Sequence, residues 1–233
     1  MIDLKFIGIG GAYAINLGGN CAYLKDKDSL LLIDCCEDAT LKLKERNVFN
    51  DVKNIILAIT HTHSDHVAGI GTLIWYSNFL LGIKPKIIKN SQSFEQHMRK
   101  LLQLLGVEEK FFEFVEPSNV MIDEVIIKMV PTKHTPMLES FGIMFSDNEG
   151  NYYYSGDTND FENIKNLVCD QRIRKVYCEA SWKSYNAYIE YQNLKKIKYD
   201  KLVLMHFEDN ELYKLAQKDG FNVAQISVAE QIF

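Results

Sequence analysis

Prolines are scarce, with 4 in 233 residues, and no segment has the make-up of a disordered linker. A chain of this length and continuity suits one large α/β domain, residues 1–233, with room for a sizeable core. Long apolar runs are missing too. No stretch of about 18 apolar residues occurs, so no transmembrane helix is expected. The N-terminus, Met1 to Gly8, carries Asp3 and Lys5 among its apolar residues and lacks the unbroken core of a secretory leader. Basic charge is not in excess either. The formal net charge is -5, whereas a binder of long nucleic acid usually presents a basic face. Finally, none of the 5 cysteines (Cys21, Cys35, Cys36, Cys169, Cys178) forms a C-x-x-C pair. An odd, scattered set reads as reduced thiols in a cytoplasmic protein, where they serve as small hydrophobes.

What the chain does have is a run of short apolar segments, each ending in a polar or glycine-rich turn. Leu4 to Ile9 reads as a strand entering Gly8-Ile9-Gly10-Gly11. This is no dinucleotide fingerprint, because Tyr13 stands where the third glycine belongs and no helix pattern follows. Cys21–Leu24 and Ser29–Asp34 read as a hairpin, and Ala39–Glu45 as a short helix. Asn54–Thr60 is a buried strand. Val67–Leu81 is apolar on nearly every side and is expected to be a well-buried helix. Ser93–Leu105 is amphipathic and stops at Gly106. Short strands are expected at Pro85–Ile88, Phe111–Val115 and Glu124–Val130. The turn Asp147 to Asn151 joins strands Phe141–Ser146 and Tyr152–Ser155. A helix at Phe161–Val168, strands at Lys175–Cys178 and Lys201–Met205, a helix at Glu211–Lys218 and a strand at Val223–Ser227 follow. This order fits an α/β fold of two mixed sheets face to face with helices outside.

The strongest chemical signal is His61-Thr62-His63-Ser64-Asp65-His66, three imidazoles and a carboxylate directly after a buried strand. Imidazole with carboxylate and no thiolate suits zinc or a similar divalent ion at an open catalytic site. Side chains diverge in a loop, so His61 and His63 can reach one ion while Asp65 and His66 reach another. Of 6 histidines in the chain, His134 and His206 also follow apolar strands, as does Asp157 within Ser155-Gly156-Asp157-Thr158. Taken singly each would be structural. Together they complete two coordination spheres. The sixth, His97, lies in the amphipathic helix and reads as solvated.

Thr60-His61-Thr62-His63-Ser64-Asp65-His66-Val67-Ala68-Gly69 resembles the signature of the metallo-β-lactamase fold. The order Asp34, cluster, His134, Asp157, His206 matches that superfamily's five motifs over nearly the whole chain. The resemblance implies a four-layer αββα sandwich. It implies that His61, His63 and His134 bind a first metal, that Asp65, His66 and His206 bind a second, and that Asp157 bridges them. Asp34 would orient the cluster from behind. Asp65 and Asp157 would be the catalytic carboxylates, and the two ions zinc, with manganese as the alternative. Di-iron members carry glutamate at the position of His63, and class B β-lactamases lack the bridging aspartate, so neither activity is implied.

Ser140-Phe141-Gly142, Ser155-Gly156-Asp157-Thr158, Glu179-Ala180-Ser181 and Leu204-Met205-His206-Phe207 look closest to the ribonuclease Z and cyclic-nucleotide phosphodiesterase branch. Two departures matter. The tRNA-processing members insert a long arm between the third and fourth motifs, where this chain has only a hairpin. They also hold a histidine between the Asp157 and His206 positions that assists the leaving group, and here Glu179, Lys183 and Tyr185 stand as candidates instead. The expected function is a dinuclear metal-dependent phosphodiesterase acting on a small nucleotide, such as a cyclic one. In that chemistry a hydroxide bridging two ions attacks phosphorus. Tyr153, Trp182 and Tyr185 are candidates to face the base. The alternatives are hydrolysis of a carboxylic ester, thioester or lactone, a ribonuclease Z-like RNA-processing nuclease, and a metal-stabilised scaffold. A homodimer would use Val67–Leu81 and Ser93–Leu105.

Overall fold

A computed structural model describes residues 2–117, 120–122, 124–197 and 199–227. The first sheet is built from six strands in sequence order: β1 (Lys5–Gly8), β2 (Cys21–Asp26), β3 (Ser29–Ile33), β4 (Asn54–Ala58), β5 (Lys86–Ile88) and β6 (Glu113–Val115). β1 to β3 pair antiparallel, and β3 to β6 run parallel. The second sheet has seven strands: β7 (Met121–Ile122), β8 (Val125–Thr132), β9 (Ser140–Asp147), β10 (Gly150–Tyr154), β11 (Ile173–Ala180), β12 (Leu202–Phe207) and β13 (Asn222–Val223), again neighbours in chain order. Both sheets start or end in antiparallel hairpins and become parallel where helices cover a face, as crossover connections require.

The helices are α1 (Ala39–Glu45), α2 (Ser64–Val67), α3 (Ile70–Tyr76), α4 (Gln92–Leu104), α5 (Phe161–Cys169), α6 (Tyr191–Leu194) and α7 (Asn210–Lys218). Their starts are set by local chemistry. Ser91, Asp160 and Asp209 each accept a hydrogen bond from an orphan amide of α4, α5 and α7, which is worth about 1 kcal/mol per cap. Leu30 to Ile33 in β3 and Ile55 to Ala58 in β4 are essentially inaccessible, as strands buried on both faces must be. The apolar residues of both sheets join one continuous core. The result is an αββα sandwich of two mixed sheets, as the sequence leads one to expect.

Three expectations change. The segment expected as one buried helix, Val67–Leu81, is broken. It begins within the histidine cluster as α2, resumes as α3 and ends in a π-turn at Ser77–Leu81. It is not well buried: Trp75 is 41% exposed, Phe79 65% and Leu80 68%. An all-round apolar surface has only one side that can face the sheet. β11 continues through Glu179 to Ala180, so Glu179 lies inside a core strand. The last strand is only Asn222–Val223; beyond it, Ile226 bridges to Phe6 and Ser227 donates to the Phe6 carbonyl.

Candidate metal centre

The centre forms where the C-terminal ends of strands from both sheets meet. From the first sheet, β4 ends at Ala58 and delivers Thr60 and His61. His63 is extended and precedes α2, which carries Asp65 and His66. Gly69 follows, packed so tightly on the Asp34 loop that an added Cβ would lie 2.1 Å from the Cys36 carbonyl oxygen. That contact fixes α2 against the loop after β3.

The second sheet contributes one residue at a time. His134 follows β8. Asp157 follows β10 after Gly156, whose φ is 59° and where an added Cβ would lie 2.7 Å from the Phe141 carbonyl oxygen, leaving no room for a side chain. His206 sits within β12 at a register shift: Glu179 pairs with Met205 and Ala180 with Phe207, which skips His206. Its φ is 47°. This bulge turns the imidazole out of the ladder and toward the centre.

All seven sequence candidates come together in two groups. His61, His63, His134 and Asp157 form one, and Asp65, His66 and His206 the other; within each, one potential ligand atom per residue lies within 4.8 Å of the rest. In the first group, His61 Nε2 is 3.0 Å from His63 Nδ1, and His134 Nε2 is 3.2 Å from that same nitrogen. In the second, Asp65 Oδ2 is 3.4 Å from both His66 Nε2 and His206 Nε2. Asp157 addresses both. Its Oδ2 is 3.8 Å from His61 Nε2 and 3.9 Å from His134 Nε2, while its Oδ1 is 3.5 Å from His66 Nε2 and 3.4 Å from His206 Nε2.

These residues fit divalent cations. His66 Nε2 and Asp157 Oδ1 are buried with no hydrogen-bond partner, a costly condition unless something else satisfies them. Ligands about 2.0–2.1 Å from a tetrahedral ion lie roughly 3.4 Å from one another, and the separations above cluster around that value. The donor set of imidazole and carboxylate is that of zinc or manganese rather than of a soft ion.

The histidines are aimed from behind. Asp34, fully buried, accepts from the Thr60 amide at 2.7 Å and the Thr60 hydroxyl at 2.9 and 3.0 Å, and lies 2.8 Å from His66 Nδ1. The Nδ1 of His134 lies 2.8 Å from the Ala187 carbonyl oxygen. Each bond leaves Nε2 pointing at the centre.

Electrostatics divide the cluster. Burial, reinforced by the neighbouring imidazoles, pushes His61 well below the ordinary histidine value, and burial with His134 lowers His63. Both are therefore neutral and able to donate a lone pair at neutral pH. Burial opposes charge on His66 as well, but Asp157 and Asp34 outweigh it and raise its pKa well above normal. Burial opposes the charge on Asp65 and Asp157 likewise. Facing imidazoles overcome it, and both carboxyls are held below the usual carboxylate range. The centre is thus a knot of carboxylate charge that calls for a cation.

The remaining candidates separate. Glu179 is buried, with Oε1 accepting from the Ile189 amide at 2.7 Å and Oε2 without a partner. It is not a surface residue. Lys183 and Tyr185 are exposed. Tyr153, expected near the base, is a core residue at 1% exposure. Trp182 is half-buried, its indole N–H donating to Asp209. His97 is exposed, as expected. Of the five free cysteines, only Cys169 is exposed. One residue at the centre escaped sequence reasoning: Tyr188, whose ring lies 5.2 Å from that of His134 and 6.4 Å from that of His206. Beside it opens a cavity of about 220 Å³ lined by Gly11, Tyr13, Glu179, Tyr185, Tyr188 and His206, among others.

Comparison with known proteins agrees with this architecture. An anti-Pycsar protein Apyc1 of Saccharibacillus brassicae is 25% identical over 226 residues, covering 90% of this chain and 91% of that protein. A diphosphatase of the PhnP family superposes with a TM-score of 0.71 at 14% identity, over 99% of this chain and 97% of the other. The short form of human tRNase Z does so with a TM-score of 0.67 at 17% identity, over 98% of each chain. The fold is that of the metallo-β-lactamase proteins, whose members here are metal-dependent. Residues 2–227 match the family described as anti-Pycsar protein Apyc1, and the chain belongs to that family.

Proposed function

We propose that this chain, acting as one hydrolase domain, is a dinuclear metal-dependent phosphodiesterase of small nucleotides, with a cyclic phosphodiester as its substrate. The observation that carries the reading is Asp157, whose two oxygens face separate ligand groups. In this reading His61, His63 and His134 hold one zinc ion, Asp65, His66 and His206 hold the second, and Asp157 joins them. Manganese is the alternative metal. Bound there, the ions would supply Lewis acidity, lowering the pKa of water and drawing charge from phosphoryl oxygens.

The chain's own residues supply position. Asp34 and the Ala187 carbonyl hold His66 and His134 in one ring orientation, so no reorganisation is needed when charge develops. Asp65 and Asp157 remain ionised at any physiological pH, because the facing imidazoles outweigh their burial. The cavity beside His206 is small and partly aromatic, which suits a base and ribose rather than a polynucleotide. Only a hairpin, β9 to β10, joins His134 to Asp157, so no arm stands ready to grip a folded RNA. The net charge of -5 points the same way. Among the described residues no helix is long and apolar enough to cross a membrane. The five free cysteines support a cytoplasmic location. A second copy of the chain would cover the exposed Trp75, Phe79, Leu80, Leu104 and Leu105.

The test is competition among substrates at physiological salt. The account expects turnover of a cyclic nucleotide by the zinc- or manganese-loaded protein and little cleavage of a tRNA precursor. Specific trimming of the tRNA without cyclic-nucleotide turnover would reverse it. Rapid thioester or lactone cleavage with neither of the others would replace phosphoryl chemistry by acyl transfer.

A further inference from the structure

The segment between β11 and α6 is a closed loop. Ser181 and Glu190 bridge its ends, the Ser181 amide donates to the Ile189 carbonyl, and the Tyr191 amide donates to the Ser181 carbonyl. Inside it, Tyr188 is held from both sides. The preceding carbonyl, that of Ala187, is tied to His134 Nδ1 at 2.8 Å. The following amide, that of Ile189, donates to the buried Glu179 carboxylate at 2.7 Å. Its own amide donates to the Ser184 carbonyl at 2.8 Å. A residue whose two flanking peptide units are pinned by three hydrogen bonds has little freedom, so its ring is pre-set.

That ring spans the centre. It tilts against His134 of the first group and lies 22° from parallel with His206 of the second. It forms a wall of the cavity of about 220 Å³ on one side and of a groove of about 310 Å³ on the other. Among the described residues its hydroxyl makes no hydrogen bond, although the ring is half-buried. The other candidates are worse placed. Glu179 is fixed inside a core strand with Oε1 committed to the Ile189 amide, Lys183 is exposed, and Tyr185 is 63% exposed.

We propose that Tyr188 is a catalytic residue whose neutral hydroxyl donates a hydrogen bond to a phosphoryl oxygen of the bound diester, and that Glu179 is the positioning residue that sets it through Ile189. The inference rests on the phosphodiesterase reading. The proton stays on Tyr188 throughout: the phenol supplies a fixed dipole aimed at an oxygen that gains charge in the transition state. One such donor is worth about 10²–10³ in kcat in a closed site; a partly open one should give less.

The test is Tyr188→Phe, which keeps the ring and removes one oxygen. Three readouts are taken on zinc-loaded protein: metal content, calorimetric affinity for inorganic phosphate, and kcat and KM on bis(p-nitrophenyl) phosphate and on a cyclic nucleotide. The expected result is unchanged metal content, phosphate bound roughly 5–20-fold more weakly, and kcat lower by about 10–100-fold on both substrates. Unchanged phosphate affinity and kcat would overturn the proposal. Loss of metal would show that the hydroxyl supports the centre instead. A loss confined to the cyclic nucleotide, with its poorer leaving group, would move the bond to the leaving oxygen and equally overturn it. If wild-type protein hydrolyses neither diester, the phosphodiesterase reading fails, while the phosphate affinities still decide for or against Tyr188. For Glu179, E179Q keeps an acceptor for the Ile189 amide and E179A does not. Higher kcat in E179Q at equal metal content supports positioning; equal and severe losses in both would make the carboxyl an acid.

Discussion

The two halves of the centre are built in opposite ways. The first sheet supplies His61, His63, Asp65 and His66 from one continuous loop and helix start, while the second supplies His134, Asp157 and His206 from three strand ends. The first half is a local object. Its geometry follows from an extended segment running into α2, and the Asp34–Thr60–His66 hydrogen bonds complete it. The second half exists only when β8, β10 and β12, with β9 and β11 between them, are assembled in register. A local half should withstand insults to the sheet, and an assembled half should fail with any one of its supports.

Asp157→Ala breaks the comparison most severely, since this carboxylate belongs to both groups. Activity should fall by at least about 10³-fold and bound metal from two equivalents to one or fewer, with the circular-dichroism spectrum preserved. Near-normal turnover would remove Asp157 from the centre.

Asp34→Ala attacks the local half from behind. It strands the buried Thr60 amide, leaves the Thr60 hydroxyl only its contact with the imidazoles, and frees His66 Nδ1 from its carboxylate. Metal affinity should drop about 10–100-fold and stability by roughly 2–4 kcal/mol, read by competitive chelator titration and urea unfolding. Equal affinity would mean that the orientation of His66 needs no help.

Acid sharpens the contrast. His61 and His63 have depressed pKa values in the folded state. Their contribution to stability is present above about pH 6.5 and is lost as pH falls through their folded values. Asp65 and Asp157, also depressed, contribute above about pH 4 and lose their effect only in stronger acid. His66 is raised, so its contribution is full below about pH 6.5 and fades as pH rises through its folded value. Metal should therefore leave in acid, as protons compete with the ions for the His61 and His63 nitrogens below about pH 6.5. Elemental analysis after dialysis at stepped pH reads this, and full retention at about pH 4 would contradict histidine ligation.

The smallest effect is expected from His97→Ala. This histidine is exposed on α4 and belongs to neither group. Metal content and kcat should stay within twofold of wild type in the same assays; a larger loss would mean that α4 reaches the substrate.

The same contrast explains what could be read in advance. The cluster was legible because its chemistry is contiguous, and α1 was legible to its last residue, Ala39–Glu45. The seven-residue set came from matching motif order, and the folded chain brings all seven together. How His206 reaches the centre was not legible, because it depends on a bulge between β11 and β12 that no local pattern marks. Tyr188 was missed for a related reason. Its place is fixed by His134 and Glu179, residues distant in sequence or hidden in a core strand. The one available signal was a glutamate in the apolar run Val176 to Ala180, an acid that must find a partner. The exposure of Phe79 and Leu80 was misjudged because composition reports how apolar a helix is and not whether anything covers it.

The central claim is that one chain holds two ions joined by Asp157. It is tested most directly by elemental analysis of protein stripped with chelator, reloaded with excess zinc or manganese and freed of unbound ion. The account predicts saturation close to two equivalents per chain, one for each of the two groups of candidate ligands. Saturation at one equivalent would contradict it.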